Sequence, residues 1–291
     1  MCKIKSIEVS EITPGTDTET IWEDLVNTYP NLNMSFGVEL YGSPEHGNTT
    51  NIDDALTIQT FKKLLEMKFA SKPNGYMPYK TAVHLNHGYV GMFKSRDFQK
   101  SSIWNIIDKN TDKVVYNFNV MTQKQKELFS NTIFFEFLKT RANSFYYPNT
   151  NYFMILSSED TSDFIFDNIV WKKCNDIQSS YFKWIKSLVF EKNFDDWSPA
   201  GIDLINNKYD IVKSHIVPGS WCGGITPDNV KNALDVLNQK LDGDIERIDI
   251  SARGGVMTDG KTDMNKVYEL MKNANEWQAE FNRKNIIHKP R

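Results

Sequence analysis

The sequence predicts an α/β protein built on a parallel sheet, and two observations carry that expectation. Short runs with period-two alternation recur along the chain, separated by amphipathic helical stretches long enough to cross back over a sheet. Eight such runs fit within 291 residues, a number at which parallel strands with crossover helices close into a barrel rather than an open sheet. No Gly/Ser-rich or Pro-rich linker divides the chain. The expected organisation is therefore a single (β/α)8 barrel over residues 1–279, followed by a polar, basic tail at 280–291.

The elements follow in order. Ile4 to Val9 alternates and reads as a strand; Thr18 to Thr28 places Ile21, Trp22, Leu25 and Val26 at helical spacing behind cap residues Thr16 and Asp17. Met34 to Tyr41 is a second strand. Asp53 or Asp54 caps a helix that runs to Ala70. Lys80 to Leu85 and Val114 to Val120 are the third and fourth strands, and Gln123 to Arg141 is the longest helical pattern. Tyr152 to Leu156 is a fifth strand with a helix-like stretch after it around Ile169 to Ile185. Leu188 to Phe190 is a sixth, followed by a weaker helix around Ile205 to Val212, and His215 to Val217 opens a seventh. Thr226-Pro227-Asp228-Asn229 starts a helix, with proline in the first turn where no N–H is missed. Arg247 to Ile250 is the eighth strand and Asp263 to Trp277 the last amphipathic helix.

Composition narrows the function. With 34 basic and 37 acidic side chains the net charge is −3, against the basic footprint of a nucleic-acid-binding surface. No apolar run approaches the roughly eighteen residues that span a bilayer, and no apolar signal-peptide core follows the N-terminus. Cys2, Cys174 and Cys222 are too widely spaced for a disulfide framework, a usage that fits a reducing cytoplasm. No cofactor is expected. The partners expected are a phosphorylated small molecule and, as the oligomeric option, a second copy of the chain.

Two glycine doublets are the sharpest motifs. Cys222-Gly223-Gly224-Ile225-Thr226-Pro227 ends a strand and begins a helix, and Ser251-Ala252-Arg253-Gly254-Gly255-Val256 ends the next strand. Glycine lets backbone approach a ligand closely, and helix-start N–H groups favour an anion. In barrels of this kind the loops after strands seven and eight commonly share one phosphate site. Either doublet alone also fits a tight turn. Gly223, Gly224, Ala252, Arg253, Gly254 and Gly255 are thus the phosphate-binding candidates, with Arg253 able to add a bidentate contact.

Over residues 220–265 the chain resembles the phosphoribosylanthranilate isomerase family. The likeness rests on Gly223-Gly224-Ile225-Thr226-Pro227-Asp228-Asn229-Val230, then Asp249-Ile250-Ser251, Gly255-Val256 and Gly260-Lys261-Thr262-Asp263. Upstream it thins to Ser43-Pro44-Glu45, with glutamate in the family's arginine place, and to His84-Leu85-Asn86-His87-Gly88. The resemblance implies a barrel of the ribulose-phosphate-binding type (the TIM-barrel architecture) and a phosphosugar site at the strand C-termini. The family's cysteine base at the end of strand one is missing, and Glu191 stands where its aspartate acid would fall.

Barrel geometry places chemistry at strand C-termini, which makes Glu8, His84 and Glu191 the acid/base candidates. Two carboxylates can divide acid and base roles when burial raises one pKa, and a histidine at the rim can shuttle a proton. Asn86, Asn117 and Asp249 are the substrate-binding candidates. Glu39, Glu45, His46, His84 and Glu191 fall near one rim, but no tight metal-ligand motif joins them, and Trp197 and Trp221 fall in predicted rim loops. The function expected is an isomerase-like acid/base enzyme acting on a phosphorylated sugar or a similar phosphate ester. The alternatives are a catalytically inactive phosphate-ligand-binding or interaction barrel, and a metal-dependent lyase or epimerase.

Overall fold

The computed structural model describes residues 3–41, 52–70, 79–85, 106, 111–117, 151–157, 185–191, 197, 220–241 and 247–287. Eight parallel strands pair in chain order: β1 (Lys3–Val9), β2 (Met34–Leu40), β3 (Lys80–Leu85), β4 (Lys113–Asn117), β5 (Asn151–Ser157), β6 (Ile185–Glu191), β7 (Ser220–Trp221) and β8 (Arg247–Ala252). β8 pairs back onto β1, with Ile7 opposite Ile250 and Glu8 opposite Ser251, so the sheet curls until its edges meet. A bulge between Ile4 and Ser6 absorbs one residue of register there.

Described helices follow β1, β2, β7 and β8. The first opens as α1 (Thr18–Thr20) and continues as a π-helix over Ile21–Val26. The others are α2 (Ile52–Ala70), α3 (Val230–Lys240) and α4 (Met264–Ile287). On α3, Val230, Ala233, Leu234 and Leu237 are buried, and on α4 Val267, Leu270, Met271, Ala274 and Trp277. That spacing is the apolar stripe a helix presents to a core. The Trp277 indole N–H donates to Asp235 at 2.8 Å, tying α4 to α3.

The strands explain how the core is divided. β2 is buried along its whole length although its residues alternate in character, Ser35, Gly37 and Glu39 against Phe36, Val38 and Leu40. A strand buried on both faces carries two different environments. Phe36, Val38 and Leu40 join Ile7, Val9, Val83, Leu85 and Ile250 in the apolar core. The polar set faces inward, because Glu8 on β1 touches His84 on β3 and Lys113 on β4. β1 pairs with neither of those strands, so these contacts run through the barrel interior. Branched apolar layers usually fill that space; among the described residues, Glu8, His84, Lys113, Ser35 and Ser251 meet there.

Several expectations shift. The described seventh strand is Ser220–Trp221, downstream of His215 to Val217, which lie outside the described residues. Trp221 is therefore a strand residue, 0% exposed in the core, and no rim stacking platform. The last helix continues past Trp277 to Ile287, so 280–287 is helix rather than tail. The helical patterns at 123–141, 169–185 and 205–212 lie outside the described residues, except that Ile185 is described and begins β6 rather than ending a helix. An unexpected hairpin, β9 (Met257–Thr258) with β10 (Lys261–Thr262), follows β8 and turns through Asp259 and Gly260, both at positive φ.

Candidate active site

The centre of the interior is Glu8, 1% exposed. Its Oε1 lies 2.7 Å from His84 Nε2 and accepts from the Ser251 hydroxyl at 3.1 Å. Its Oε2 accepts from the Ser35 hydroxyl at 3.0 Å and from the Lys113 ammonium at 3.1 Å. An ionised carboxylate offers about four lone-pair positions, and here each oxygen carries two partners. Burial by itself pushes the Glu8 carboxyl up. The Lys113 ammonium and the His84 ring, by charge and by hydrogen bonds, override burial and hold it well below the usual carboxylate range. Glu8 is thus a fixed anion.

The chemical consequence is a change of role. A saturated carboxylate that resists protonation is a poor general base and no general acid, so Glu8 serves to orient His84. His84 is 3% exposed, and among the described residues its ring makes no hydrogen bond through Nδ1. An imidazole held at one nitrogen by a buried carboxylate, with the other left for chemistry, is the arrangement that general acid/base catalysis uses.

Above this centre, on the side of β1, β2 and β8, lies a second polar cluster. Arg253 Nε donates to Glu11 at 2.7 Å and lies 3.3 Å from Glu39, while Tyr41 donates to Glu39 at 2.8 Å. The guanidinium also bonds the Tyr41 hydroxyl, and its carbon stands 5.6 Å from that ring's centroid. Burial works against the Arg253 charge, but Glu39 and Glu11 more than compensate and raise its pKa further. The loop carrying Glu11 is clasped to the hairpin. Thr13 N–H donates to the Thr262 hydroxyl at 2.8 Å, and Thr262 N–H returns a bond to the Thr13 hydroxyl at 2.9 Å.

The two glycine loops meet. A Cβ placed on Gly255 would stand 2.8 Å from the Ile225 carbonyl carbon and 2.9 Å from Thr226 Cα, and closer still to the Ile225 oxygen. Only glycine permits that approach. In the partner loop Gly223 and Gly224 have φ of 82° and 61°, the left-handed region that other residues avoid. Asn229 locks the loop: its side-chain amide donates to the Gly224 carbonyl at 2.7 Å and its Oδ1 accepts from Thr226 N–H at 2.8 Å. The Thr226 hydroxyl in turn accepts from Asn229 N–H at 3.3 Å, a reciprocal cap like those that start helices.

No protein-family model matches the sequence. No curated protein matches it either. Among solved structures the chain is similar to N-(5'-phosphoribosyl)anthranilate isomerase from Pyrococcus furiosus, with a TM-score of 0.47 and 11% identity over 93% of this chain and 98% of that one. It is similar at the same TM-score of 0.47, with 10% identity over 94% and 95% of the two chains, to a family 5 glycoside hydrolase from Prevotella bryantii. Similarity at this level leaves the chemistry to this chain's own residues.

Those residues divide as follows. Glu8 and His84 are brought into contact, and both glycine doublets converge. Arg253 is engaged by Glu11 and Glu39. Ala252 is a buried strand residue whose carbonyl accepts from Ser10 N–H at 3.0 Å. Asp249 accepts from the Ser6 hydroxyl at 2.8 Å, beneath Ser251 on the same strand. Glu191 ends β6 opposite Ser157 in register, and Asn117 ends β4 opposite Ile155. Asn86, Glu45 and His46 lie outside the described residues. Trp197 is half-buried and packs against the core. Among the described residues no three His, Cys, Asp or Glu side chains are placed to hold a metal ion, and no described helix is long and apolar enough to cross a membrane.

Lys113, Ser35, Ser251, Glu11 and Tyr41 were not evident from the sequence as members of this site. Period two offered a signal for two of them: Ser35 shares a strand face with Glu39, and Ser251 with Asp249. Nothing local marked Lys113, whose relevance depends on three strands meeting across the interior.

Proposed function

We propose that this protein is an enzyme of the ribulose-phosphate-binding barrel type that moves a proton on a phosphorylated sugar or similar phosphate ester. In this reading strand and helix alternate through all eight units as one domain in the cytoplasm. The observation that carries it is the 2.7 Å contact between Glu8 and His84 across the barrel interior. The convergence of the two glycine loops at the mouth supports it.

Backbone N–H groups around Gly223, Gly224, Gly254 and Gly255 would hold the phosphate, with the start of α3 adding its dipole. Anchoring the phosphate fixes the reacting carbons relative to His84, and orientation of this kind supplies much of an enzyme's rate. His84 takes a proton from the carbon beside the carbonyl, giving an enolate and an imidazolium, and returns it to the former carbonyl carbon, while a second proton passes between the two oxygens. Glu191, ending β6, is the candidate partner for the second transfer. Glu8 stabilises the imidazolium formed in between.

Thermal unfolding with millimolar phosphorylated aldoses and ketoses tests the reading. Ligand at 100 times its Kd stabilises by about 2.7 kcal/mol, so a rise in Tm is expected. The variant His84→Ala should keep that rise and lose turnover. No stabilisation by any phosphorylated sugar would remove the ligand class. A rise in Tm without turnover in the wild type would leave the binding barrel as the function.

A further inference from the structure

We infer that Lys113 is a positioning residue that, acting through Glu8, fixes a proton on Nε2 of His84 and leaves Nδ1 as the nitrogen that exchanges protons. The inference uses the proposed role of His84 only in naming Nδ1 as the reactive atom. The proton assignment itself stands on the geometry of the buried cluster.

The donors and acceptors around one carboxylate fix the proton. Lys113 begins β4 and reaches Glu8 Oε2 at 3.1 Å, with its side chain 8% exposed. An ammonium has three N–H donors and no lone pair, so it cannot accept a proton from Oε2. The Ser35 hydroxyl fills the remaining position on that oxygen at 3.0 Å. On Oε1 the Ser251 hydroxyl sits at 3.1 Å and His84 Nε2 at 2.7 Å. Were Glu8 protonated, its O–H could donate to Nε2, and the neutral ring would then carry its proton on Nδ1. The ammonium beside Oε2 opposes that state by charge and by donor geometry together. With Glu8 ionised, Nε2 must donate in both the neutral and the charged ring. The only lone pair the imidazole can gain or lose is then at Nδ1.

This gives Lys113 a part that neither its sequence context nor the resemblance supplies. It also explains why an expensive buried charge is kept. Taking an ammonium and a carboxylate out of water costs several kcal/mol per ion, repaid only where geometry is good and the remaining positions are filled. Glu8 meets that condition.

The test reads the ring directly, without substrate. The full chain with nitrogen-15 in its five histidines is recorded by two-bond proton–nitrogen correlation, and His84 is assigned by the signal lost in His84→Gln. The neutral ring of the wild type should show a protonated Nε2 and an unprotonated Nδ1. In Lys113→Met the single-tautomer pattern should be lost, and the Glu8 carboxyl carbon should titrate about 1–3 pH units higher, the span an adjacent opposite charge commands. Lys113→Arg, which keeps a donor-only cation, should restore both signatures. Should Lys113→Met fail to fold, Lys113→Gln supplies the same comparison with a side chain that can accept. A proton on Nδ1 in the wild type overturns the inference, as does an unchanged tautomer and Glu8 titration in the neutral variants. Protonated Nε2 in a protein without turnover would sink the proposed activity and leave this assignment standing.

Discussion

Replacing Gly255 with alanine adds one methyl group and should do disproportionate damage. The new carbon would lie 2.8 Å from the Ile225 carbonyl carbon and 2.9 Å from Thr226 Cα. Ordinary carbon contacts need about 3.5–4.0 Å, and the obstacle is backbone, which no rotamer change moves aside. Overpacking a tight site costs typically about 1–3 kcal/mol, and a backbone clash belongs at the upper end. For a domain of this size that corresponds to about 2–4 °C in Tm per kcal/mol. Gly254 is the internal control. It is the preceding residue and exposed, and a Cβ there meets nothing within 4 Å. Gly254→Ala should change stability by less than about 0.5 kcal/mol. Both variants would be compared by chemical denaturation, with phosphate-ester binding measured alongside. Gly255→Ala should lower both stability and affinity. Equal behaviour of the two variants would refute the convergence of the loops after β7 and β8.

Glu8 makes acid stability a second test. Its folded carboxyl is held below the range of an unfolded glutamate, about 4.3. A depressed folded value means that the contribution is whole above the unfolded value and drains away as pH falls below it. Wild-type stability should therefore fall more steeply than that of Glu8→Gln below about pH 4.3; parallel curves would contradict the buried ion cluster. At neutral pH, Glu8→Gln should itself cost about 3–5 kcal/mol, because it removes one partner of a buried ion pair. By contrast Lys231 and Glu276, 2.5 Å apart between α3 and α4 with side chains 40% and 43% exposed, should contribute little: Lys231→Ala should lower stability by less than about 1 kcal/mol, and a larger drop would mean that the helix pair depends on this charge pair.

How much of this was legible in the sequence follows from the range of the signals. Strand β3 was legible to the residue, Lys80 to Leu85, because its apolar alternation is local. β7 was not, because two residues held between β6 and β8 carry no periodicity of their own. The last helix was cut short at Trp277 because its apolar stripe thins beyond Phe281 while the helix itself continues. The Asp259-Gly260 pair was an available hairpin signal, since both residues tolerate positive φ. In the site, His84 and Glu8 were visible as titratable groups on strand ends, but their contact was not, since β1 and β3 meet only across the closed interior. The role of Glu8 changed for the same reason. Sequence showed a carboxylate free to act as acid or base, whereas the fold surrounds it with donors from four strands.

The most direct measurement follows the amide N–H signals of Gly223, Gly224, Gly254 and Gly255 in nitrogen-15-labelled protein during titration with a phosphorylated pentose. The account predicts saturable shifts at all four glycines together, with a concurrent change in the His84 ring signals. Shifts confined to one loop, or four glycine amides unmoved at millimolar ligand, would contradict it.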